Sequence, residues 1–556
     1  MDGLRVAALV ILVVAALTHK PIARWVRARR YLRGRTLKNP KRLGANHRCY
    51  PGALVWGTMV LPESAATQHF LAAGATGSGK SLVQRRLMKE VLLRLHETPD
   101  ARVLIYDAKG DSAAYLAHIG YAGPVYSLNP FESRDDRPKA VAWDIAADVT
   151  SPTDALNLAC SLIEGEEGTN RYFSNAARLV VRAVILSLIK HSPGEWTFAD
   201  LVLATTSRER LEAVLSRDEF GRDALEGFLP DSNTGHCVAS TIYASMVFYE
   251  AVAAQWQRVS GRLSLKDWLT NNSVLLLGDN EAASASLEVI NRTMFRFLAE
   301  QIDVQPNSGA RRTWVWVDEL RLAGCILSSG KLTMLADKGR SRGVCLVLAF
   351  QDIEGFQEAA GAKIAGEIIA QCGSKALLRC QSKESAEWAS GLVGQYECLE
   401  VFRSDNSRLG SGEGRSEQRV IKDAVLPSEF YGLPVTSRSH GLTGYFLTAE
   451  HGAHKSRIAP TELEGIVVAE TQECSEAIRL RPVSEQWVFP WSDGDRRRLQ
   501  LAPGENAGEN TGSQRLRLRK RSDLRGEGAQ TRHARSGVAR LEENALPKAI
   551  ASSRSD

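Results

Sequence analysis

Short apolar runs and amphipathic stretches alternate along most of the chain. The apolar runs are four to seven residues long and are followed by glycine, acidic or amide residues, which is typical of buried parallel strands. They lie at 69–73, 102–106, 314–317 and 344–350. After the first run an apolar residue recurs every fourth position, at Val83, Leu87, Val91 and Leu95. This spacing predicts an amphipathic helix, and the whole pattern predicts an α/β protein.

Helical periodicity replaces this pattern between about 145 and 262. The distance from Asp107 to Asp318 is 211 residues, far more than a few strand–helix units need. We therefore expect an all-α domain inserted into the α/β domain. One stripe in the insert allows two interpretations, contact with a substrate strand or core packing. It consists of Tyr243, Met246 and Tyr249.

These changes of pattern divide the chain into six predicted stretches. They are a membrane anchor with a basic juxtamembrane segment (1–43), an α/β domain in two parts (44–144 and 263–465), the all-α inserted domain (145–262), a connecting segment (466–495) and a basic disordered tail (496–556).

Both ends of the chain are basic. Residues 1–43 carry eleven Lys and Arg against one Asp, and residues 496–556 carry fourteen against seven acids. Because the net charge of the whole chain is only +6, the body between the ends is acidic. Basic ends on an acidic body indicate contacts with polyanions such as lipid headgroups or nucleic acid.

The N-terminal stretch contains an apolar run of twelve residues, Val6–Leu17. A spanning helix needs about 17–25 residues, so this run crosses a bilayer only if its neighbours join it. We interpret residues 4–19 as a short membrane anchor, and the Lys and Arg after it predict that the rest of the chain stays in the cytoplasm. A signal peptide and a helix lying on the membrane surface are the alternatives.

Composition narrows the class of protein. With 44% hydrophobic residues among 556, the chain can bury a core and is not wholly disordered. Nine scattered cysteines without a C-x-x-C pair argue against a zinc site or a disulfide framework and favour a reducing compartment.

The C-terminal tail is too polar to form a core. Its basic run 515–521 either contacts DNA or a partner or is only solvated.

A glycine-rich loop lies between the first apolar run and the predicted helix. It fits the pattern G-x-x-x-x-G-K-[ST] with the residues Gly74, Ala75, Thr76, Gly77, Ser78, Gly79, Lys80 and Ser81. Such a loop between strand and helix surrounds phosphate oxygens with backbone N–H groups. Lys80 is then predicted to reach the β- and γ-phosphates of ATP, and the Ser81 hydroxyl to bind Mg²⁺. The alternative is a glycine-rich turn that binds nothing.

Polar residues that follow later runs complete a predicted ATPase site. Asp318 and Glu319 follow a buried strand, and we predict Asp318 as the metal-side acid and Glu319 as the general base. Gln351 follows the last run and is predicted to sense the γ-phosphate or its water, since ligands lie at the carboxyl ends of parallel strands. Arg340, in a glycine-framed loop, is either surface decoration or a charge inserted into a neighbouring subunit's site.

The order of these motifs resembles that of the coupling ATPases of type IV secretion and conjugation (TraD/TrwB-like), relatives of the FtsK and HerA DNA pumps. The resemblance extends from about Arg33 to His451. Besides the loop, the helical insert, the two acids and the Arg340 segment, it rests on Ile105–Gly110, Leu128–Phe131, Ala349–Gln351 and Gly441–Phe446.

The resemblance implies a RecA-like P-loop NTPase domain that carries an all-α domain and binds ATP and Mg²⁺. It further implies a homohexamer on the cytoplasmic face of the bacterial inner membrane that moves single-stranded DNA with its relaxase toward components of a secretion channel. One departure stands out, because the family usually has two transmembrane helices and only one short helix is predicted here.

By the same resemblance, the loop residues and the acidic pair keep the roles given above. Gln351 is similar to the family's sensor glutamine, and Arg340 to its trans-acting arginine. Two other functions stay open. One is a HerA/FtsK-type DNA pump in segregation or repair, and the other is a nucleotide-gated adaptor for secreted protein substrates.

Overall fold

The computed structural model describes residues 29–38, 52–131, 139–279, 283–404, 414–467 and 487–501. The predicted anchor at 4–19 and the basic run 515–521 lie outside the described residues. The predicted domain boundaries stay predictions.

Seventeen strands lie within these described ranges. They are β1 (Arg29–Gly34), β2 (Leu54–Trp56), β3 (Met59–Leu61), β4 (Phe70–Ala73), β5 (Ala101–Asp107), β6 (Val125–Ser127), β7 (Lys139–Ala140), β8 (Ala142–Trp143), β9 (Arg262–Leu263), β10 (Val274–Gly278), β11 (Arg312–Val317), β12 (Val344–Phe350), β13 (Ser374–Leu377), β14 (Gln395–Ser404), β15 (Gly414–Asp423), β16 (Leu442–Thr448) and β17 (Gly452–Ile458).

Ten of the strands form one sheet, in the order β17-β16-β13-β4-β12-β11-β5-β10-β6-β7. Eight of them are parallel, and only β16 and β17 run antiparallel to their neighbours. The predicted α/β fold with a large parallel sheet is therefore confirmed. Because β4, β12, β11 and β5 are adjacent, their carboxyl ends meet at one edge of the sheet.

The described helices number α1 to α20 in chain order. They are α1 (Lys80–Leu93), α2 (Ser112–His118), α3 (Ile145–Asp148), α4 (Pro152–Leu162), α5 (Arg171–His191), α6 (Phe198–Thr205), α7 (Arg208–Leu215), α8 (Glu219–Phe228), α9 (Asn233–Met246), α10 (Glu250–Trp256), α11 (Leu265–Trp268), α12 (Ser284–Val304), α13 (Gly324–Ser328), α14 (Leu332–Lys338), α15 (Ile353–Ala360), α16 (Ala362–Gln371), α17 (Lys383–Val393), α18 (Pro427–Tyr431), α19 (Pro460–Leu463) and α20 (Asp493–Arg498).

The unbroken apolar runs reflect burial of the sheet on both faces. All seven residues of β12 are buried. Val344, Leu346 and Leu348 pack into one hydrophobic cluster, whereas Cys345 and Val347 pack into a second cluster on the opposite face. A strand covered on both sides needs apolar residues at every position, and alternation would leave one face in water.

Helices α3–α10 form a helical region between β8 and β9. These two strands pair in parallel, with Ala142 beside Arg262, so the region leaves and rejoins the rest of the chain at one place. Of the predicted stripe, Met246 and Tyr249 are buried and fit core packing, whereas Tyr243 is exposed. Among the described residues, α5 and the stretch Asn233–Trp256 are long and apolar enough to cross a membrane. However, 56% of the most apolar part of α5 is buried, as in a core helix.

Asp148 joins the two connections of the helical region. Its buried carboxylate accepts hydrogen bonds from the Trp143 indole (2.6 Å), the Ser264 hydroxyl (2.7 Å) and the backbone N–H groups of Leu265 (2.7 Å) and Lys266 (3.0 Å). Burial raises the pKa of Asp148, and these hydrogen bonds oppose the rise.

We expect Asp148→Ala to lower the free energy of unfolding by about 3 kcal/mol, because four donors, three of them buried, lose their acceptor. Urea denaturation followed by circular dichroism measures the change. The exposed Asp223 provides the control, since Asp223→Ala should change stability by less than about 0.5 kcal/mol. Equal midpoints for the two variants would show that this network adds no stability.

Candidate nucleotide site

The glycine-rich loop joins β4 to α1 and is supported from the far end of the sequence. Thr436 donates its hydroxyl to the Ser78 carbonyl (2.7 Å) and its backbone N–H to the Gly77 carbonyl (3.3 Å). Gly79 precedes α1 with a φ of 98°, in the left-handed region that favours glycine. A Cβ at Gly79 would lie 2.3 Å from Leu442 Cδ1. The hydrogen bonds from Thr436 therefore support the loop, and the packing at Gly79 leaves no room for a side chain there.

We expect Gly79→Ala to weaken ATP binding by at least about tenfold, because the added methyl group meets Leu442 and the left-handed backbone is strained. Equilibrium binding of a fluorescent ATP analogue measures this loss. Gly366→Ala is the matched control, because Gly366 lies within α16 with open space around it. That variant should keep its ATP affinity and gain up to about 1 kcal/mol of stability. Equal affinities in both variants would contradict the predicted role of the loop.

Lys80 and Ser81 begin α1 and point to different partners. Lys80 is only 8% exposed, and its ammonium group donates to the carbonyls of Gly74 (2.7 Å) and Ala75 (3.4 Å). Burial lowers the pKa of Lys80, and the carboxylates of Glu319 and Asp318 oppose this shift. The Lys80 cation is thus held at the centre of the loop beside both acids.

Ser81 connects the loop to the end of β11. Its hydroxyl lies 3.0 Å from Asp318 Oδ1 and 2.9 Å from Oδ2. The structure therefore brings together two segments that lie 237 residues apart in the sequence. A hydroxyl and a carboxylate are oxygen donors of the kind that Mg²⁺ prefers, with its other positions left to water and phosphate. The described residues contain no cluster of three or more His, Cys, Asp or Glu, so an all-protein metal cage is absent there.

Lys109 is a site residue that the sequence analysis did not assign. Its ammonium group lies 2.6 Å from Asp318 Oδ2, just beyond the end of β5. Burial is the largest single influence and opposes the charged form, but the carboxylates of Asp318, Asp111 and Glu319 together outweigh it and raise the pKa of Lys109. The signal was present, because Lys109 follows one of the predicted strands whose carboxyl ends share an edge.

Glu319 is the most buried acid of the site, with 4% of its surface exposed. Its Oε1 atom has no hydrogen-bond partner among the described residues. Burial raises the pKa of Glu319, and the Lys80 cation and a hydrogen bond from Gln351 limit the rise. Gln351 also accepts a hydrogen bond from the Thr76 hydroxyl at 3.1 Å. An acid with a free, buried oxygen beside a polar loop is suited to take up a proton.

Arg340 lies elsewhere. It is exposed in a 3₁₀ turn, Gly339–Arg342, which leads into the start of β12. Gln351 follows the other end of the same seven-residue strand, so about 20 Å of β12 separates the two residues. The structure thus brings Lys80, Ser81, Asp318, Glu319 and Gln351 into one site and leaves Arg340 at the opposite edge of the sheet.

A comparison with known protein families shows which family this chain belongs to. Residues 53–450 match the family model described as the type IV secretion-system coupling protein DNA-binding domain. The chain belongs to the type IV coupling protein family. The predicted membership is therefore confirmed. The match covers the helical region and every strand of the large sheet except β17.

Individual coupling proteins are distant in sequence but similar in fold. Coupling protein TraD of Escherichia coli (strain K12) is 22% identical over 401 residues, which are 68% of this chain and 51% of TraD. The chain thus spans about half the length of this curated relative. The bacterial conjugative coupling protein TrwBΔN70 has a TM-score of 0.61 at 22% identity and covers 78% of this chain and 94% of its own. The plasmid coupling protein TrwB in complex with ADP and Mg²⁺ aligns with this chain at a TM-score of 0.59 and 21% identity. The alignment covers 77% of this chain and 93% of the TrwB chain.

Proposed function

We propose that this coupling protein hydrolyses ATP and uses the energy to move single-stranded DNA. The observation that carries the proposal is the contact of Ser81 with Asp318 at 2.9 Å, beside the buried Glu319. Support from outside the chain comes from TrwB, whose structures contain ADP with Mg²⁺ and a non-hydrolysable ATP analogue.

Each residue of the site has a defined task in this mechanism. Backbone N–H groups of the loop and the Lys80 ammonium bind the phosphates of ATP and balance their charge. Ser81 and Asp318 would hold Mg²⁺, which supplies charge neutralisation at the phosphates when bound. Glu319 accepts a proton from the attacking water, and Gln351 orients that water beside the γ-phosphate.

Arg340 completes the site of the next subunit in this proposal. An arginine at a subunit boundary stabilises the charge that develops on the transferred phosphoryl group. The position of Arg340, exposed and far from its own loop, supports action across a boundary rather than in its own site. A closed ring such as the proposed homohexamer gives every site one such arginine.

The resemblance to the family supports a proposal for the client and the location of the motor. We propose that the DNA arrives with its relaxase, that the motor delivers both to secretion channel components, and that residues 4–19 tether it to the inner membrane with the body in the cytoplasm. A pump for segregation or repair would use the same chemistry on another client. Relaxase pull-down with the full chain distinguishes the two.

ATP turnover with and without single-stranded DNA tests the proposed function. We expect DNA to raise turnover several-fold in the wild-type chain, and Lys80→Ala to abolish turnover under both conditions. Equal turnover with and without DNA would contradict a DNA motor and favour the nucleotide-gated adaptor for protein substrates.

The rate should also depend on pH through Glu319. A general base works only when it is deprotonated, so kcat is expected to fall as the pH decreases through the pKa of Glu319. Because burial raises that pKa, the acidic limb should lie at a higher pH than the ordinary glutamate value of 4.5. Single-turnover hydrolysis across a pH series measures the limb. If the Glu319→Asp variant keeps the wild-type rate and the wild-type midpoint of the acidic limb, the limb belongs to a group other than Glu319.

A further inference from the structure

A short segment near the end of the described chain is docked on the helical region. The Trp491 indole donates to Asp200 at 2.9 Å, and the Arg498 guanidinium binds the same carboxylate at 2.9 and 3.0 Å. Upstream, Gln257 accepts from the Phe489 N–H (2.8 Å) and donates to the Phe489 carbonyl (3.2 Å). These contacts fix residues 487–501 to α6 and to the end of α10.

Two large aromatic rings of this segment remain in water. Trp487 is 72% exposed and Phe489 is 53% exposed, although each is next to the partly buried Val488. Val488 packs against the core, so its two neighbours lie on the outer side of the segment. Exposed apolar side chains that lie together on one surface, unlike scattered single ones, mark interaction sites.

Arginines accompany the two rings. The Arg258 guanidinium lies 4.1 Å from the centroid of the Phe489 ring and donates to the Trp487 carbonyl at 3.3 Å. The exposed Arg262 lines the same cavity as Phe489. The acids of that cavity, Asp200 and Asp495, are both bonded to Arg498. Arg258 also donates to the Ala254 carbonyl, but among the described residues neither Arg258 nor Arg262 forms an ion pair with a carboxylate. Both positive charges can therefore attract a negatively charged ligand.

We infer that Trp487, Phe489, Arg258 and Arg262 form a stacking platform for single-stranded nucleic acid. Bases stack on exposed aromatic rings without sequence preference, and neighbouring arginines bind the phosphates between the bases. The segment 487–501 presents the rings, and the Asp200 contacts hold it rigid. The inference rests on the proposed DNA substrate, and it locates a DNA contact on the surface of the helical region, at residues that are not part of the nucleotide site.

Fluorescence anisotropy with labelled oligo-dT of about 20 nucleotides tests the platform on the full chain. We expect Trp487→Ala and Phe489→Ala each to weaken binding by about 5- to 100-fold, since each removes one stacking surface. Trp487→Phe should stay within about threefold of wild type because a ring remains. Tyr431→Ala, at a partly exposed aromatic residue of α18, should change nothing. Affinity for duplex DNA should be the same in all variants, because paired bases cannot stack on a side chain.

The possible failures are distinguishable. If the wild-type chain does not bind oligo-dT, both the proposed function and the platform are wrong. If the wild type binds and both alanine variants bind equally well, the platform is wrong and the DNA motor stands. If the alanine variants instead lose their assembly state in sedimentation velocity, the rings belong to a contact between subunits, which also overturns the platform.

Discussion

Glu319→Gln is expected to lower ATP turnover by about 10²- to 10⁴-fold and to leave ATP affinity within about threefold of wild type. The glutamine has the same shape but cannot accept the proton that the attacking water loses. Glu319 lies beside the loop without supporting it, because the loop carbonyls are bonded to Lys80 and Thr436. Binding and hydrolysis should therefore separate in this variant.

Steady-state phosphate release and isothermal titration with ATP measure the two quantities. Glu358→Gln is the matched control, since Glu358 is an exposed acid of α15, and both quantities should stay at wild-type values. A Glu319→Gln chain that hydrolyses at the wild-type rate would exclude Glu319 as the base. A chain that loses affinity and turnover together would assign Glu319 a structural role in the loop.

Arg340→Ala is expected to lower turnover by about 10³-fold or more in a pure preparation, because each site loses its transition-state cation. Mixing Arg340→Ala with Lys80→Ala subunits should restore part of the activity. At some boundaries the intact loop of an Arg340→Ala subunit then faces the intact arginine of a Lys80→Ala subunit. Only an arginine that acts across a boundary allows this recovery.

Lys338→Ala serves as control, because Lys338 is an exposed cation just before the same turn. The Lys338→Ala chain should keep its activity both alone and when mixed with Lys80→Ala subunits. This result would show that the effect of Arg340→Ala comes from the arginine itself and not from the loss of any positive charge on this surface. If the Arg340→Ala and Lys80→Ala chains assemble together but hydrolyse no ATP, the role in trans is wrong.

The sequence predicts the parts of the site that lie within single segments. The glycine-rich loop, the acidic pair after β11 and Gln351 after β12 are read from motifs and from the rule that parallel strands end at one edge. The residues around them come from far away in the chain. Thr436 and Leu442 support a loop more than 350 residues earlier, and no local pattern indicates that contact. Lys109 was not assigned because its contact with Asp318 depends on β5 lying beside β11, and the sequence does not show the order of the strands.

For the fold, too, the sequence predicts local elements but not contacts between distant segments. Apolar runs predict the buried strands well because both faces of the sheet are covered, and helical spacing predicts the region between β8 and β9. The docking of residues 487–501 on α6 was not predicted. Its determinants converge on Asp200 from two predicted stretches. Trp491 lies in the predicted connecting segment, whereas Arg498 lies in α20 and falls among the first residues of the stretch predicted as a disordered tail.

Electron paramagnetic resonance of Mn²⁺ measures most directly whether the loop ending at Lys80 and the acids after β11 share one metal–nucleotide site. With a non-hydrolysable ATP analogue, the full chain should bind one Mn²⁺ per site, and Ser81→Ala and Asp318→Asn should each weaken that binding at least about tenfold. Asp337→Asn, at an exposed acid of α14, should bind as wild type does. Nucleotide-dependent Mn²⁺ binding of unchanged strength in both Ser81→Ala and Asp318→Asn would contradict a shared site.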